Sequence, residues 1–261
     1  MLKLAKGGKT GPKILIFDIE TRPMLSYHWG SYKQFISPVQ VVEYGQVLCW
    51  AAKWYGQTAV LFDRVKKTDK DDKRICESLW ELCDEADIIV AHNGQAFDMS
   101  YMRTRWLKHG MVPPSPVKIV DTLKIVRKQF GFPDNKLETL VKYLGIGTKL
   151  SHTGFQMWLD CMAWKKAAWE LMEQYNIQDV LVLEELYHQV RAWDTRAPNV
   201  ALYYEDEQLR CICCGHRNFS DLVKDASTTV SVFDAKRCDN CGKVMRVGSR
   251  KDVKKVLRNV I

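Results

Sequence analysis

Five residues in three short segments have the types and spacing of a catalytic centre. They are Asp18 and Glu20 in IFDIET, Asp98 in HNGQAFD, and Tyr175 with Asp179 in YNIQD. Carboxylates are hard oxygen donors, and several converging on one point suit Mg²⁺ or Mn²⁺. Asp18 and Glu20 are two apart in an apolar, β-branched run, so on a strand they share one face. Acids crowded there repel unless a cation lies between them; taken alone, the pair also reads as a strand that simply ends in acids. Asp98 follows a buried strand and opens a helix, where a carboxylate faces back over the sheet or caps free N–H groups. Tyr175 and Asp179, four apart on a helix, lie ~40° from each other on one face. A tyrosine there equally suits a core with its hydroxyl hydrogen-bonded. A single chemical need would unite the segments: phosphodiester hydrolysis with two divalent ions ~3.5–4 Å apart draws carboxylates from separate elements.

A second constellation lies near the C-terminus. CICCG holds Cys211 and Cys214, and CDNCG holds Cys238 and Cys241. Each C-x-x-C offers two thiolates on a tight turn, and the following Gly215 or Gly242 permits the turn's backbone. Four thiolates suit one tetrahedral structural Zn²⁺, with rubredoxin-type iron or a redox pair as competitors. Cys213 is a fifth thiol nearby, a passenger or a decoy ligand. Cys49, Cys76, Cys83 and Cys161 sit among apolar neighbours and are expected to be buried, reduced and inert.

The elements that must position the acids can be read from periodicity. KILIFDIE predicts a buried strand; QVLCWAAKWY and TAVLFD predict a hairpin turning at Gly56-Gln57. A helix is expected over 71–86, a buried strand at ADIIVAHN, and a helix from Asp98 to His109 that stops at Gly110 and PPSP. VKIVDTL reads as a strand running into a helix, and NKLETLVKYLG as a helix closed by Gly145. After the Gly-bounded loop GIGTKLSHTG, residues 155–193 read as helical. The order is that of an α/β sheet flanked by helices. The predicted domains are a basic arm at 1–12, an α/β domain at 13–195 and a small cysteine-bearing domain with a basic tail at 196–261.

IFDIET, HNGQAFDMSYM and YNIQDV resemble the three exonuclease motifs of the DEDD superfamily. The N-x-x-x-F-D and Y-x-x-x-D spacings are similar to those of the proofreading domains of B-family DNA polymerases. Tyr175 places the resemblance in the DEDDy branch; the DEDDh branch has histidine where Gln174 stands. DTL at Asp121–Leu123 and KLETL at Lys136–Leu140 also look like family elements, and the similarity covers roughly residues 13–192. It implies an RNase H-like mixed sheet, two Mg²⁺ or Mn²⁺ ions, and 3′→5′ hydrolysis of DNA ends to nucleoside 5′-monophosphates. It implies that Asp18, Glu20 and Asp179 hold the metal that activates water, and that Asp18 and Asp98 serve the second. It further implies that Tyr175 orients the water or the scissile phosphate, a phenol being a poor base at neutral pH, and that Thr21 and Asn93 touch the 3′-terminal nucleotide. The cysteine segment resembles a zinc ribbon.

No polymerase palm motif follows, so the expectation is a stand-alone exonuclease of bacteriophage or bacterial type, with a separate polymerase or recombination protein as possible partner. RNA exonuclease activity, a structure-specific endonuclease and a non-catalytic nucleic-acid adaptor are the competing readings. The 39 basic and 31 acidic residues leave a net charge of +8, which suits a polyanionic partner. Lys243, Arg246, Arg250, Lys251, Lys254, Lys255 and Arg258 suggest that the tail grips phosphate, and Lys149 and His152 could approach it. Trp164, Trp169 and Trp193 are expected in the core rather than stacked on bases. No apolar run is long enough to span a membrane, and MLKLAKGGKTGPK does not read as a secretory signal, so a cytoplasmic location (the host's, if phage-encoded) is expected.

Overall fold

The computed structural model describes residues 11–148, 150–229, 231–248 and 251. The N-terminal arm up to residue 10, Lys149, Arg250, Lys254, Lys255 and Arg258 lie outside the described residues. The described residues form two compact units, Lys13–His188 and the described residues from Gln189 onward together with Gly11 and Pro12. Among the described residues no helix is long and apolar enough to cross a membrane.

At the centre of the first unit is β1 (Ile14–Thr21), whose apolar run is buried as far as Phe17. Such a run suits a strand covered on both faces. A small ribbon follows, β2 (Leu25–Ser26) paired with β3 (Val41–Glu43). The main sheet then adds β4 (Val47–Trp54), β5 (Leu61–Arg64), β6 (Ile88–Ala91) and β7 (Lys118–Asp121) in the order β5-β4-β1-β6-β7. β4 lies antiparallel to both β1 and β5, while β6 and β7 run parallel to β1. Helices α1 (Lys73–Glu85) and α2 (Asp98–Lys108) contribute Ile75, Leu79, Met99, Met102 and Trp106 to a core with Leu15, Phe17 and Ile19. α3 (Thr122–Gln129) and α4 (Leu137–Leu144) precede α5 (Phe155–Met162) and α6 (Lys166–Val190). A second core sets Leu48 and Cys49 against Met157, Cys161, Trp169, Met172 and Tyr175 of α5 and α6. This is a mixed α/β sheet flanked by helices, as the element order predicts.

Two buried polar clusters fix these layers. Lys53 of β4 pairs with Glu184 of α6, which also accepts from Gly56 N–H at 2.8 Å. Asp72, fully buried, accepts from Val47 N–H at 2.8 Å, Arg105 Nε at 2.7 Å and His109 Nε2 at 2.8 Å. Burial pushes the Asp72 carboxyl upward, but the bonds from Arg105, Val47 and His109 outweigh it and hold it below the ordinary carboxylate range.

The expected helix over 155–193 is in fact two helices, followed by a 3-10 turn at Arg191–Trp193. Trp164 adopts φ 59°, Lys165 N–H bonds Asp160 carbonyl at 3.0 Å, and Trp164 N–H bonds Cys161 carbonyl at 2.9 Å. This is a Schellman close, with tryptophan where glycine is usual. The core expectation holds for Trp169, which is buried; Trp164 is partly exposed beside it, ring centroids 5.9 Å apart, and Trp193 is exposed. Both are corrections, since a helical period cannot distinguish a helix's inner face from its broken end.

In the second unit, β8 (Phe219–Asp221), β9 (Ala226–Ser227) and β11 (Val244–Val247) all pair antiparallel with β10 (Val232–Cys238). Its buried cluster is largely sulfur: Cys211, Cys213, Cys238 and Met245, with Cys214, Cys241 and Phe219 against them.

Candidate active site

The carboxylate end of β1 gathers the acids. Asp18 and Glu20 register opposite Ala51 and Cys49 of β4, and the ladder shifts between Glu20 and Thr21. Oxygens of Asp18, Glu20 and Asp179 all lie within 4.8 Å of one another. Asp98 stands outside that group and is joined to it through β1: its Oδ1 accepts from Ile19 N–H, between the two acids, at 3.3 Å. It does not cap α2, whose N-cap is Phe97 without a side-chain bond. The helix start supplies the direction, and Ile19 N–H of the central strand donates the hydrogen bond.

Asp98 is buried, and burial, with the Asp121 charge adding to it, pushes its carboxyl up to about 6, against hydrogen bonds that lower it. Asp121, unassigned by sequence reasoning, accepts from Asn93 N–H at 2.9 Å and Leu123 N–H at 3.1 Å, while its buried Oδ2 has no hydrogen-bond partner among the described residues. The oxygens of Asp18, Glu20 and Asp179 form a hard-oxygen donor set of the kind that a divalent ion fits.

Sequence reasoning also missed Asn176. It is fully buried, and its Nδ2 donates to Asp18 Oδ2 at 2.8 Å and Asp18 carbonyl at 3.3 Å. The available signal was its spacing: Asn176 and Asp179 are i and i+3, neighbours on the helix surface. Tyr175 is buried and packs edge-on against His152 at 4.9 Å and Trp158 at 6.4 Å.

Thr21 is half-buried at the end of β1 and lines a 310 Å³ cavity with His152, Phe155 and Trp158. Asn93 is exposed in a left-handed turn, φ 63°, whose carbonyl accepts from Ala96 and Phe97 N–H. The next residue must be glycine. A Cβ on Gly94 would stand 2.1 Å from Ala91 Cβ and 3.3 Å from Asp98 Oδ2. Gly94→Ala should therefore cost about 1–3 kcal/mol of stability and displace Asp98; denaturant unfolding and a cleavage assay on the same preparation check both effects.

Other candidate ligands are accounted for. Asp72, Cys76 and His109 also come within 4.8 Å of one another, but the Arg105 guanidinium already fills that position. Burial pushes the Cys83 thiol up to about 12 and the Cys161 thiol up to about 11; Cys49 is raised by burial first and then by the charges of Glu20 and Asp18. All four scattered cysteines are buried thiols, as expected.

The sulfurs of Cys211, Cys214, Cys238 and Cys241 lie within 4.8 Å of one another, with 3.6 Å for Cys211–Cys241 and for Cys214–Cys238. A tetrahedral ion with ~2.3 Å bonds to sulfur would set edges of ~3.8 Å, so the four thiols could hold one. Gly215 and Gly242, φ 73° and 75°, close the two knuckles with N–H bonds to the Cys211 and Cys238 carbonyls. Cys213 stands outside the four and contributes its N–H to Cys211 Sγ at 3.4 Å. Of the seven basic tail residues, the three described are committed internally: Lys243 to Asp194 carbonyl, Arg246 over the Phe233 ring, and Lys251 to Asp225 and Asp234.

No curated protein matches the chain. The solved family B DNA polymerase of the hyperthermophilic archaeon Pyrobaculum calidifontis is similar in structure, with TM-score 0.50 and 16% identity over 69% of this chain. The chain spans a quarter of that polymerase's length, and at this identity the likeness shows the fold. The model of the RNase H superfamily matches residues 43–191, which takes in Asp98, Tyr175 and Asp179 and begins after Asp18 and Glu20. With more than half of its length so matched, the chain belongs to the RNase H superfamily.

Proposed function

We propose that the chain is a metal-dependent 3′→5′ exonuclease of the DEDDy kind acting on DNA ends. One observation carries this reading: Asp18, Glu20 and Asp179 converge from a central strand and a distant helix, and Asp98 bonds the strand between the first two. Asp18, Glu20, Asp179 and Asp98 would hold divalent ions. Such ions supply Lewis-acid charge that eases deprotonation of water and offsets the charge developing on the leaving 3′ oxygen.

The remaining work falls to the chain's own groups. Asn176 fixes the Asp18 carboxylate through the 2.8 Å bond, so that acid meets its ion without rotameric search. Tyr175, wedged by His152 and Trp158, has a ring that cannot swing, and its hydroxyl positions water or the scissile phosphate. Thr21 and Asn93 are proposed contacts for the terminal nucleotide. The four-cysteine cluster is proposed to hold one structural Zn²⁺ in a zinc-ribbon domain, and a separate DNA polymerase is the partner the reading suggests.

Tyr175→Phe should slow cleavage by roughly 10–100-fold with KM near the wild-type value, because the phenyl ring keeps its packing and only the positioning hydroxyl is lost. Steady-state kinetics on a single-stranded oligonucleotide checks this. The reading itself is tested by its product: chromatography should find nucleoside 5′-monophosphates accumulating from the earliest times. Nucleoside 3′-monophosphates or internal fragments as first products would reject it.

A further inference from the structure

The connection from β1 to β4, residues 22–46, carries an unusual surface. Tyr27, Trp29, Tyr32 and Phe35 are 78%, 101%, 77% and 87% exposed. Hydrogen bonds tie the backbone beneath them. β2 and β3 pair through Leu25–Glu43 and Ser26–Val41. Gln40 spans the base of the tip: it exchanges bonds with Tyr27 at 2.9 and 3.0 Å, and its Oε1 accepts from Ser37 N–H at 2.9 Å. Gln34 Nε2 donates to Tyr32 carbonyl at 2.9 Å. Four aromatic side chains on a tied ribbon are therefore held in water at a standing cost, which a ligand would relieve.

The ribbon's position identifies that ligand. It leaves β1 immediately after Glu20 and Thr21, and Thr21 registers with Val47 where the chain returns. A 380 Å³ cavity between the ribbon and α5 is lined by Pro23, Leu25, His28, Phe155 and Leu159. It shares Pro23 and Phe155 with the 310 Å³ cavity of Thr21, His152 and Trp158. The two cavities thus lead from the base of the ribbon to the His152 and Trp158 rings that pack on Tyr175. From residue 22 to 46 the only acid is Glu43, which pairs with Arg22, while Lys33 and His28 remain on the tip. A polyanion meets no repulsion there, and isolated rings separated by Ser, Gly, Lys and Gln suit base faces.

We infer that this ribbon is a stacking platform for single-stranded nucleic acid, holding the unpaired strand whose 3′ end occupies the candidate site; the inference rests on the exonuclease reading for the strand's direction. The test uses the full-length protein, with Ca²⁺ in place of the catalytic ion. Fluorescence anisotropy with 5′-labelled oligothymidylates of twenty and four nucleotides compares wild type with the triple variant Trp29→Ala, Tyr32→Ala, Phe35→Ala. Affinity for the long strand should fall by about 10-fold or more, with affinity for the short one unchanged. A second variant, Trp29→Phe, Tyr32→Phe, Phe35→Tyr, should keep long-strand affinity within about threefold, since it retains the rings. Hydrolysis of thymidine 5′-monophosphate p-nitrophenyl ester, too small to reach the ribbon, should be equal in all three. Unchanged long-strand affinity in the alanine variant would overturn the inference and leave the surface to a protein partner. An equal loss in the ring-retaining variant would overturn it too. Absence of hydrolysis in the wild type, with the affinity loss intact, would remove the exonuclease reading while supporting the platform.

Discussion

Asp98→Asn is expected to lower cleavage of single-stranded DNA by about 10³-fold or more, and at the same time to raise the melting temperature of the metal-free protein. The carboxyl is buried, lies near Asp121, and is pushed up from 3.8 to about 6. A raised carboxyl pKa stabilises the fold below the ordinary value near 3.8 and loses that stabilisation as pH rises through 6. At pH 8 the wild type therefore carries a buried anion that the amide lacks, at a cost on the order of 1–3 kcal/mol. The gain in the variant should be present at pH 8 and vanish near pH 4. A divalent ion should do for the wild type what the substitution does, so Mn²⁺ should raise the wild-type melting temperature more than that of Asp98→Asn. Activity and calorimetry on the same two proteins check both halves. A variant that loses activity and also loses stability would indicate a structural acid rather than a site acid.

The second large effect concerns the C-terminal unit. Its buried cluster consists mostly of cysteine sulfur, so little apolar surface remains to hold β8, β10 and β11 without an ion. Structural Zn²⁺ in such sites contributes about 10–16 kcal/mol of binding free energy, available only to the folded chain. Elemental analysis of the purified protein should find one zinc per chain, and Cys238→Ser should lose it. Hydrogen exchange should then show residues 211–247 unprotected, while Lys13–His188 keeps its own protection, because that unit has two cores of its own. Retained protection in the serine variant, or a full set of protected amides after chelation, would contradict the zinc assignment.

The legibility of this chain follows from which interactions are local. Apolar runs, β-branched in β1 and β6, made β1, β4 and β6 readable, and Gly145 made the end of α4 readable, because φ 65° is a conformation glycine adopts without strain. The break between α5 and α6 uses the same closing geometry at Trp164, where no glycine or proline announces it. For the site, spacing alone showed that Tyr175 and Asp179 share a helix face and that Asp18 and Glu20 share a strand face. That the two faces meet is a tertiary fact, visible only as the 4.8 Å cluster. The partners of Asp18 and Asp98 were not legible for the same reason. Asn176 reads as an ordinary helix residue until it is placed beside a carboxylate 158 positions away, and Asp98 reads as a helix cap until Ile19 N–H claims it. The exposed rings of the β1–β4 connection are not legible in sequence, because an aromatic held in water and one packed in a core are the same residue type.

A metal-dependent enzyme working inward from 3′ ends should show itself when the full-length protein is incubated with 5′-labelled single-stranded DNA and Mn²⁺, beside an EDTA control. The expected result is a ladder that shortens one nucleotide at a time from the 3′ end and is absent with EDTA. Full-length DNA persisting at enzyme excess in Mn²⁺, or internal cuts before any end is trimmed, would contradict it.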